Sequence, residues 1–226
     1  MKKILFIVPL LLLLASCTQT PKIDVAPSAT TTNTKNTSVE TSVVSKATPK
    51  ENRTVPTPWY GSGKHTLEIF ADFQCPACQN FSKTLEPILK SYADKWQLVI
   101  QYRQFPLDMH KNAFRDAMTA LCGAEQGKYM EAKIALYALE TMKSGGKVSD
   151  TERIDTLAKA WLDKEKLSVC LTSEAFKWQV DADLAYGEWL RVNGTPTLFL
   201  DGKKIDMSVF RDTEGFTTFL DTLLTK

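Results

Sequence analysis

The 226 residues carry 28 Lys and Arg against 26 Asp and Glu, a formal net charge of +2, and 43% of them are hydrophobic. Charge so evenly balanced offers no basic face and argues against nucleic-acid binding. Five cysteines beside only two histidines leave few donors for a metal centre.

Residues 1–16 read as a secretory signal: Lys2 and Lys3 form a basic start, and Ile4 to Leu14 is an apolar stretch short for a bilayer span. The stretch closes as Leu14-Ala15-Ser16-Cys17, the pattern of a bacterial lipobox, which would make Cys17 the lipidated N-terminus of the exported chain. The alternative is an ordinary signal peptide with a chance cysteine; either way the chain leaves the cytoplasm. Thr18 stands where an aspartate would favour retention at an inner membrane, so an outer membrane is expected where a cell has two, a Gram-positive surface being the other location. Residues 17–58 are then a lipid-anchored linker. From 18 to 58 they are dominated by Thr, Ser, Pro and Asn with no aromatic residue, a composition that cannot bury enough apolar surface to offset its ordering entropy. As a flexible coil it would reach roughly 35–40 Å. Residues 59–226 hold every Trp and Tyr and all but one Phe, and their number suits one domain with one core.

Within that domain Leu67 to Phe73 is an apolar, β-compatible run, followed by Cys75-Pro76-Ala77-Cys78 at the head of a helical pattern reaching about Ala93. Pro76 fits a first helical position, where the N–H has no intrahelical partner anyway. Trp96 to Phe105, centred on Leu98-Val99-Ile100, predicts a second strand, parallel to the first through a right-handed crossover. A long helical block follows, with Phe114, Met118 and Cys122 on one stripe, Ile134, Tyr137 and Ala138 on another, and Leu157, Trp161 and Leu162 on a third. Gly145-Gly146 and Asp163-Lys164 mark breaks, and a longer helix capped by Ser173 is expected to turn Phe176, Val180, Leu184 and Gly187 inward. Thr197 to Leu200 reads as a strand, Asp201-Gly202 as a hairpin turn, Lys203-Lys204-Ile205 as its return, and Phe216 to Leu224 as a closing amphipathic helix. The predicted order is β-α-β, a helical block, then β-β-α.

Two cysteines three residues apart at a helix N-terminus share one face of its first turn, where unbonded N–H groups and the macrodipole favour a thiolate. The arrangement suits disulfide exchange. The same spacing can be half of a zinc site, but His65 and His110 are the only histidines and no second such pair exists; it can also be a plain structural disulfide. Cys122 and Cys170 lie on apolar stripes of different helices and can be small buried hydrophobes. In an oxidising compartment they are expected to bridge the helical block instead, contributing up to about 4 kcal/mol on the chain-entropy estimate. For His110, capping or packing at a helix start is expected over titration near the cysteines.

The element order, Cys75-Pro76-Ala77-Cys78 at the first strand–helix junction and Gly194-Thr195-Pro196-Thr197 before the third strand resemble the DsbA-like thiol–disulfide oxidoreductases of the thioredoxin superfamily. Phe105-Pro106-Leu107, His110-Lys111-Asn112-Ala113, Ala120 to Lys128 and Val169-Cys170-Leu171 are also similar to bacterial extracytoplasmic members. The resemblance implies an α/β fold, a thioredoxin-like central mixed sheet with a helical domain inserted at about residues 106–192. It makes Cys75 the exposed nucleophile, Cys78 its buried resolving partner and Pro196 a cis-proline. Thr195, Pro196, Pro76 and Ala77 would meet an extended substrate segment. Many members carry an acid where this chain has Ile69; Glu68 should face away from it, leaving Lys83 or water as candidates for moving the Cys78 proton.

These likenesses imply an extracytoplasmic enzyme, membrane-anchored by lipid, that exchanges disulfides with unfolded or reduced exported proteins. Oxidation is the expected direction. Ala77 stands where strongly oxidising relatives have histidine, and Thr195 resembles residues of isomerase and reductase relatives, so reduction or isomerisation is the alternative. A non-catalytic peptide-binding surface lipoprotein is a third reading. A membrane redox partner or a small-molecule thiol or disulfide would restore the pair; no cofactor or metal is expected, and the chain is expected to be a monomer.

Overall fold

The structure, a computed structural model, describes residues 56–210 and 212–224. The signal segment, the Cys17 anchor and nearly all of the linker lie outside the described residues. Five strands form one mixed sheet in the order β1-β3-β2-β4-β5. They are β1 Trp59–Tyr60, β2 His65–Ala71, β3 Leu98–Gln104, β4 Thr197–Leu200 and β5 Lys203–Lys204. β2 and β3 run parallel, as a crossover through a helix requires, and the remaining neighbours are antiparallel. The hairpin between β4 and β5 turns at Asp201 and Gly202, whose φ angles of 49° and 74° are those of a type I′ turn. β1, too short to show a period, was not predicted and pairs through Trp59 and Tyr60 with Gln101 and Ile100.

Because side chains alternate across a strand, the central β2 feeds two cores. Leu67 and Ile69 join Leu98, Ile100, Leu198 and Leu200 beneath Phe81, Leu89, Tyr92, Phe216 and Leu220. Phe70 faces the opposite way, onto Phe105, Val192 and Phe199. The helices on the first face are α1 Pro76–Thr84, α2 Glu86–Ala93 and α8 Thr213–Leu224. Periodicity predicted one helix where α1 and α2 lie. The chain breaks at Leu85 (φ −101°, ψ −31°), because Pro87 has no N–H for the Lys83 carbonyl and its ring would strike it.

Between β3 and β4 lie α3 Ala113–Glu125, α4 Tyr129–Lys143, α5 Asp150–Lys159, α6 Lys164–Thr172 and α7 Lys177–Trp189. They enclose a separate core that includes Leu121, Leu136, Leu157, Leu167 and Phe176. A disulfide joins Cys122 on α3 to Cys170 on α6 across a separation of 48 residues. α5 opens with a capping box between Ser149 and Glu152, and the Asp163 carboxylate caps α6. Several expected faces are corrected. Of the stripe expected on α4, Tyr137 is buried but Ile134 and Ala138 are exposed, and Ala135, Leu136 and Leu139 are buried instead. Trp161 is 85% exposed at the left-handed turn after α5, although Leu157 and Leu162 are buried. Ser173 closes α6 by donating to the Cys170 carbonyl and does not cap α7, which starts after Phe176. α7 still buries Val180 and Gly187, the latter so close to Phe105 that an added Cβ would lie 2.5 Å from the ring.

Candidate active site

β2 ends at Ala71, and the next residue, Asp72, is buried with its carboxylate fully used. It accepts from the Gln74 N–H at 2.7 Å and the Leu107 N–H at 2.9 Å, and it lies 2.7 Å from His110 Nδ1. These bonds tie the strand end to the start of the helical block and fix the turn that delivers Cys75. The cysteine is the N-cap of α1 in extended conformation (φ −71°, ψ 119°), Pro76 follows in the first turn, and no acidic residue occupies that turn. Nothing there opposes the positive end of the helix. His110 lies at the start of α3 as expected, its carbonyl accepting from the Ala113 N–H at 3.3 Å, and its ring is the partner of Asp72.

Pro76 and Ala77 are exposed and Cys78 faces inward at 1% exposure; Cys75, expected to be exposed, is also buried, at 7%, because the Thr195 carbonyl packs against its sulfur. β4 lies beside β2 and runs antiparallel to it, so the loop before β4 brings Thr195 and Pro196, joined by a cis peptide bond, up to the cysteines. The Cys75 thiol donates to the Thr195 carbonyl at 3.3 Å. Thr195 Oγ1 is buried without a partner of ordinary hydrogen-bond geometry, and it lies beside both sulfurs, where its hydroxyl favours either thiolate. Pro76, Ala77, Thr195 and Pro196 thus surround the pair, and a groove of about 380 Å³ beside it is lined by Gln74, Pro76, Gln79, Met109 and His110.

The two sulfurs are electrostatically unlike. Cys75 is lowered from 9.0 to about 5, first by its hydrogen bond with Cys78 and then by Thr195 and the N–H groups of Cys78 and Ala77, which together outweigh burial. Cys78 is pushed far up, chiefly by burial and then by its neighbour's claim on the shared proton. One proton held between two thiols belongs to the inner sulfur, leaving the outer one charged.

Ile69 is buried in the apolar core under α1 and α2, and Glu68 turns away from it to bond Arg103 at 2.9 Å, on the other face of the sheet. Lys83 is exposed, whereas Cys78 is buried. The structure bonds Cys122 and Cys170 to each other, away from the pair at 75 and 78. Among the described residues no group of three or more His, Cys, Asp or Glu could hold a metal.

A thioredoxin sheet with five helices inserted between β3 and β4, and paired cysteines at the β2–α1 junction, is the DsbA-like variant of the thioredoxin fold. The family model described as thioredoxin matches residues 53–222, and the chain belongs to that family. Solved structures share the fold. A thioredoxin-like oxidoreductase from Silicibacter pomeroyi is 21% identical, with a TM-score of 0.58 over 75% of this chain and 92% of that one. DsbA from Mycobacterium tuberculosis is 16% identical, with a TM-score of 0.59 over 74% and 92% of the two chains. MdbA, a thiol–disulfide oxidoreductase from Actinomyces oris, is 15% identical, with a TM-score of 0.62 over 73% and 84%. Among curated proteins, a Na(+)/H(+) antiporter NhaA 1 of Mycolicibacterium gilvum is 28% identical over 140 residues, 62% of this chain but 22% of the antiporter. The chain therefore spans about a fifth of the length of such curated relatives. No helix among the described residues is long and apolar enough to cross a membrane.

Proposed function

We propose that the protein is an extracytoplasmic thiol–disulfide oxidoreductase that works through Cys75 and Cys78, in the oxidising direction. The supporting observation is the asymmetry of the pair: an outer sulfur ionised at neutral pH on a helix N-terminus, and an inner sulfur that keeps its proton. A substrate thiolate attacks Cys75 of the Cys75–Cys78 disulfide. The substrate–Cys75 bond forms, the Cys75–Cys78 bond breaks, and Cys78 leaves as a thiolate that takes up a proton. A second substrate thiolate then attacks the substrate sulfur and expels Cys75 as a thiolate. The substrate has lost two electrons to the pair. Because the reduced site holds a favoured thiolate, reduction of the pair is favourable and the enzyme oxidises its partners.

Thr195, Pro196, Pro76 and Ala77 would receive an extended segment of a reduced exported protein, recognised mainly through its main chain. Cys17 would carry the lipid, residues 17–58 would tether a monomeric domain of residues 59–226 to the membrane, and a membrane partner or small disulfide would reoxidise the pair. The absence of a histidine at Ala77 favours a moderate oxidant and keeps reduction or isomerisation as the second reading. Equilibration of the 75/78 pair with glutathione tests direction: a reduced-favouring equilibrium together with oxidative refolding of a reduced client supports the oxidase, whereas insulin reduction with a strongly stabilised disulfide supports the reductase. Retention of the cellular role by Cys75→Ser would instead mark a peptide-binding lipoprotein.

A further inference from the structure

The face of α1 that carries Cys78 carries Ser82 one turn later, and the spacing continues to Glu86 at the start of α2. Across from it, α4 of the inserted block sends in Lys133, whose ammonium pairs with Glu86 Oε2 and donates to Ser82 Oγ at 3.1 Å. Both partners are interior groups, with 5% and 3% of their side chains exposed. Glu86 also accepts from the Tyr102 hydroxyl at 2.8 Å, and the ammonium lies 5.2 Å from the ring of Tyr102 and 5.5 Å from that of Tyr137. Tyr137 packs in the same core as Cys78 and Phe73. A cavity of about 10 Å³, the size of one water, lies among Lys133, Glu86, Tyr137, Phe73 and Phe81.

A buried ion pair is a poor source of stability, since an apolar pair of the same volume commonly does as well. Its position supplies a reason for it. We infer that Lys133 is a positioning residue for Cys78, which keeps the inner thiolate compensated while Glu86 takes and returns the thiol proton. The inference rests on the oxidoreductase reading. When a mixed disulfide at Cys75 is resolved, the Cys78 proton passes by way of Ser82 to the Glu86 carboxylate. The Cys78 thiolate attacks Cys75 Sγ, the Cys75–Cys78 bond forms, and the partner leaves as a thiolate with the electron pair of the broken bond. Glu86 then releases its proton toward the leaving sulfur. The negative charge moves from Glu86 to Cys78 with Lys133 as its counter-ion and leaves on the partner sulfur as the disulfide closes; release of the Glu86 proton to that sulfur restores the buried ion pair.

The other ionisable neighbours do not provide this. Tyr102, Tyr129 and Tyr137 are raised by burial and stay neutral, Lys90 reaches Glu86 from its outer edge at 3.8 Å, and Asp72 meets Cys78 through its backbone while its buried carboxylate is taken up by Gln74, Leu107 and His110. The Lys133 ammonium is itself lowered by burial, against the pull of Glu86 and Cys78.

Stopped-flow reaction of the reduced full chain with Ellman's reagent separates the two sulfurs. The first thionitrobenzoate is released as Cys75 is modified, the second as Cys78 resolves the adduct. Lys133→Met and Glu86→Gln should each slow the second phase about tenfold at neutral pH, as for a shift of roughly one unit, and move its pH midpoint upward. The first phase should change less than about twofold. An unchanged second phase overturns the inference. Should the single variants fail to fold with a charge left unpaired, Lys133→Met/Glu86→Gln leaves none, and its second phase must be slowed in the same way or the inference is wrong. A sluggish first phase in the unaltered protein would instead sink the oxidoreductase reading itself.

Discussion

The molecule holds two cysteine pairs in two settings. In the thioredoxin half, Cys75 and Cys78 stand at a strand–helix junction, both buried, Cys75 at 7% exposure beside exposed Pro76 and Ala77 and Cys78 at 1%. In the inserted block, Cys122 and Cys170 are each 1% exposed and joined from the last turns of α3 and α6, the ends opposite the helix N-termini. Thiolate exchange needs ionisation and access, and only the first setting offers both. Residue type is the same in the two halves; the surrounding helix termini and burial separate reactivity from cross-linking.

The largest effect that would sharpen this contrast is on chemistry. Cys75→Ser should abolish exchange with a reduced protein client, and Cys78→Ser should accumulate a mixed disulfide at Cys75, visible by mass spectrometry. If Cys75→Ser retained exchange, the outer sulfur would not be the nucleophile. Removing the other pair should act on stability instead. Cys122→Ser/Cys170→Ser should lose about 4 kcal/mol in denaturant unfolding on the loop-closure estimate, with the Ellman first phase kept within about twofold. A large loss of reactivity there would erase the distinction between the two settings. Next, Thr195→Val removes a hydroxyl that favours both thiolates, and the Cys75 midpoint should rise by about one unit, read from the pH dependence of alkylation. Smallest, Ser149→Ala breaks the α5 capping box and should cost about 1 kcal/mol without touching the reactivity of Cys75.

Much of this was legible in the sequence because it is local. The apolar run before Cys75, Pro76 in the first turn of α1, the Asp201-Gly202 turn and the two sheet-forming stretches each encode their own geometry within a few residues. The relations that complete the site are not local. Asp72 meets His110 across 38 residues, and Lys133 meets Glu86 across 47. No period or spacing reports such pairs; a histidine at a predicted helix start was the one available signal for the first, and Cys78, Ser82 and Glu86 at every fourth position for the second. Pro87 was a readable break in the long helix, since its missing N–H falls within the predicted interior. The faces of α4 and the end of α5 were misjudged for another reason. In α4 a buried lysine and glutamate, Lys133 and Glu140, take positions where periodicity seeks apolar residues, and at Trp161 the helix has already ended.

Ionisation of Cys75 also fixes how redox state and pH interact. A thiol lowered from 9.0 to about 5 on folding stabilises the reduced fold; that contribution is complete above the pH at which an unfolded thiol ionises and is lost as pH falls through about 5. The most direct measurement is a pH titration of the thiolate ultraviolet absorbance of the reduced protein, paired with Cys75→Ser to assign the signal. A midpoint near 5 that disappears in the variant is the expected result. A midpoint near the free-cysteine value of about 8.5 would contradict the account.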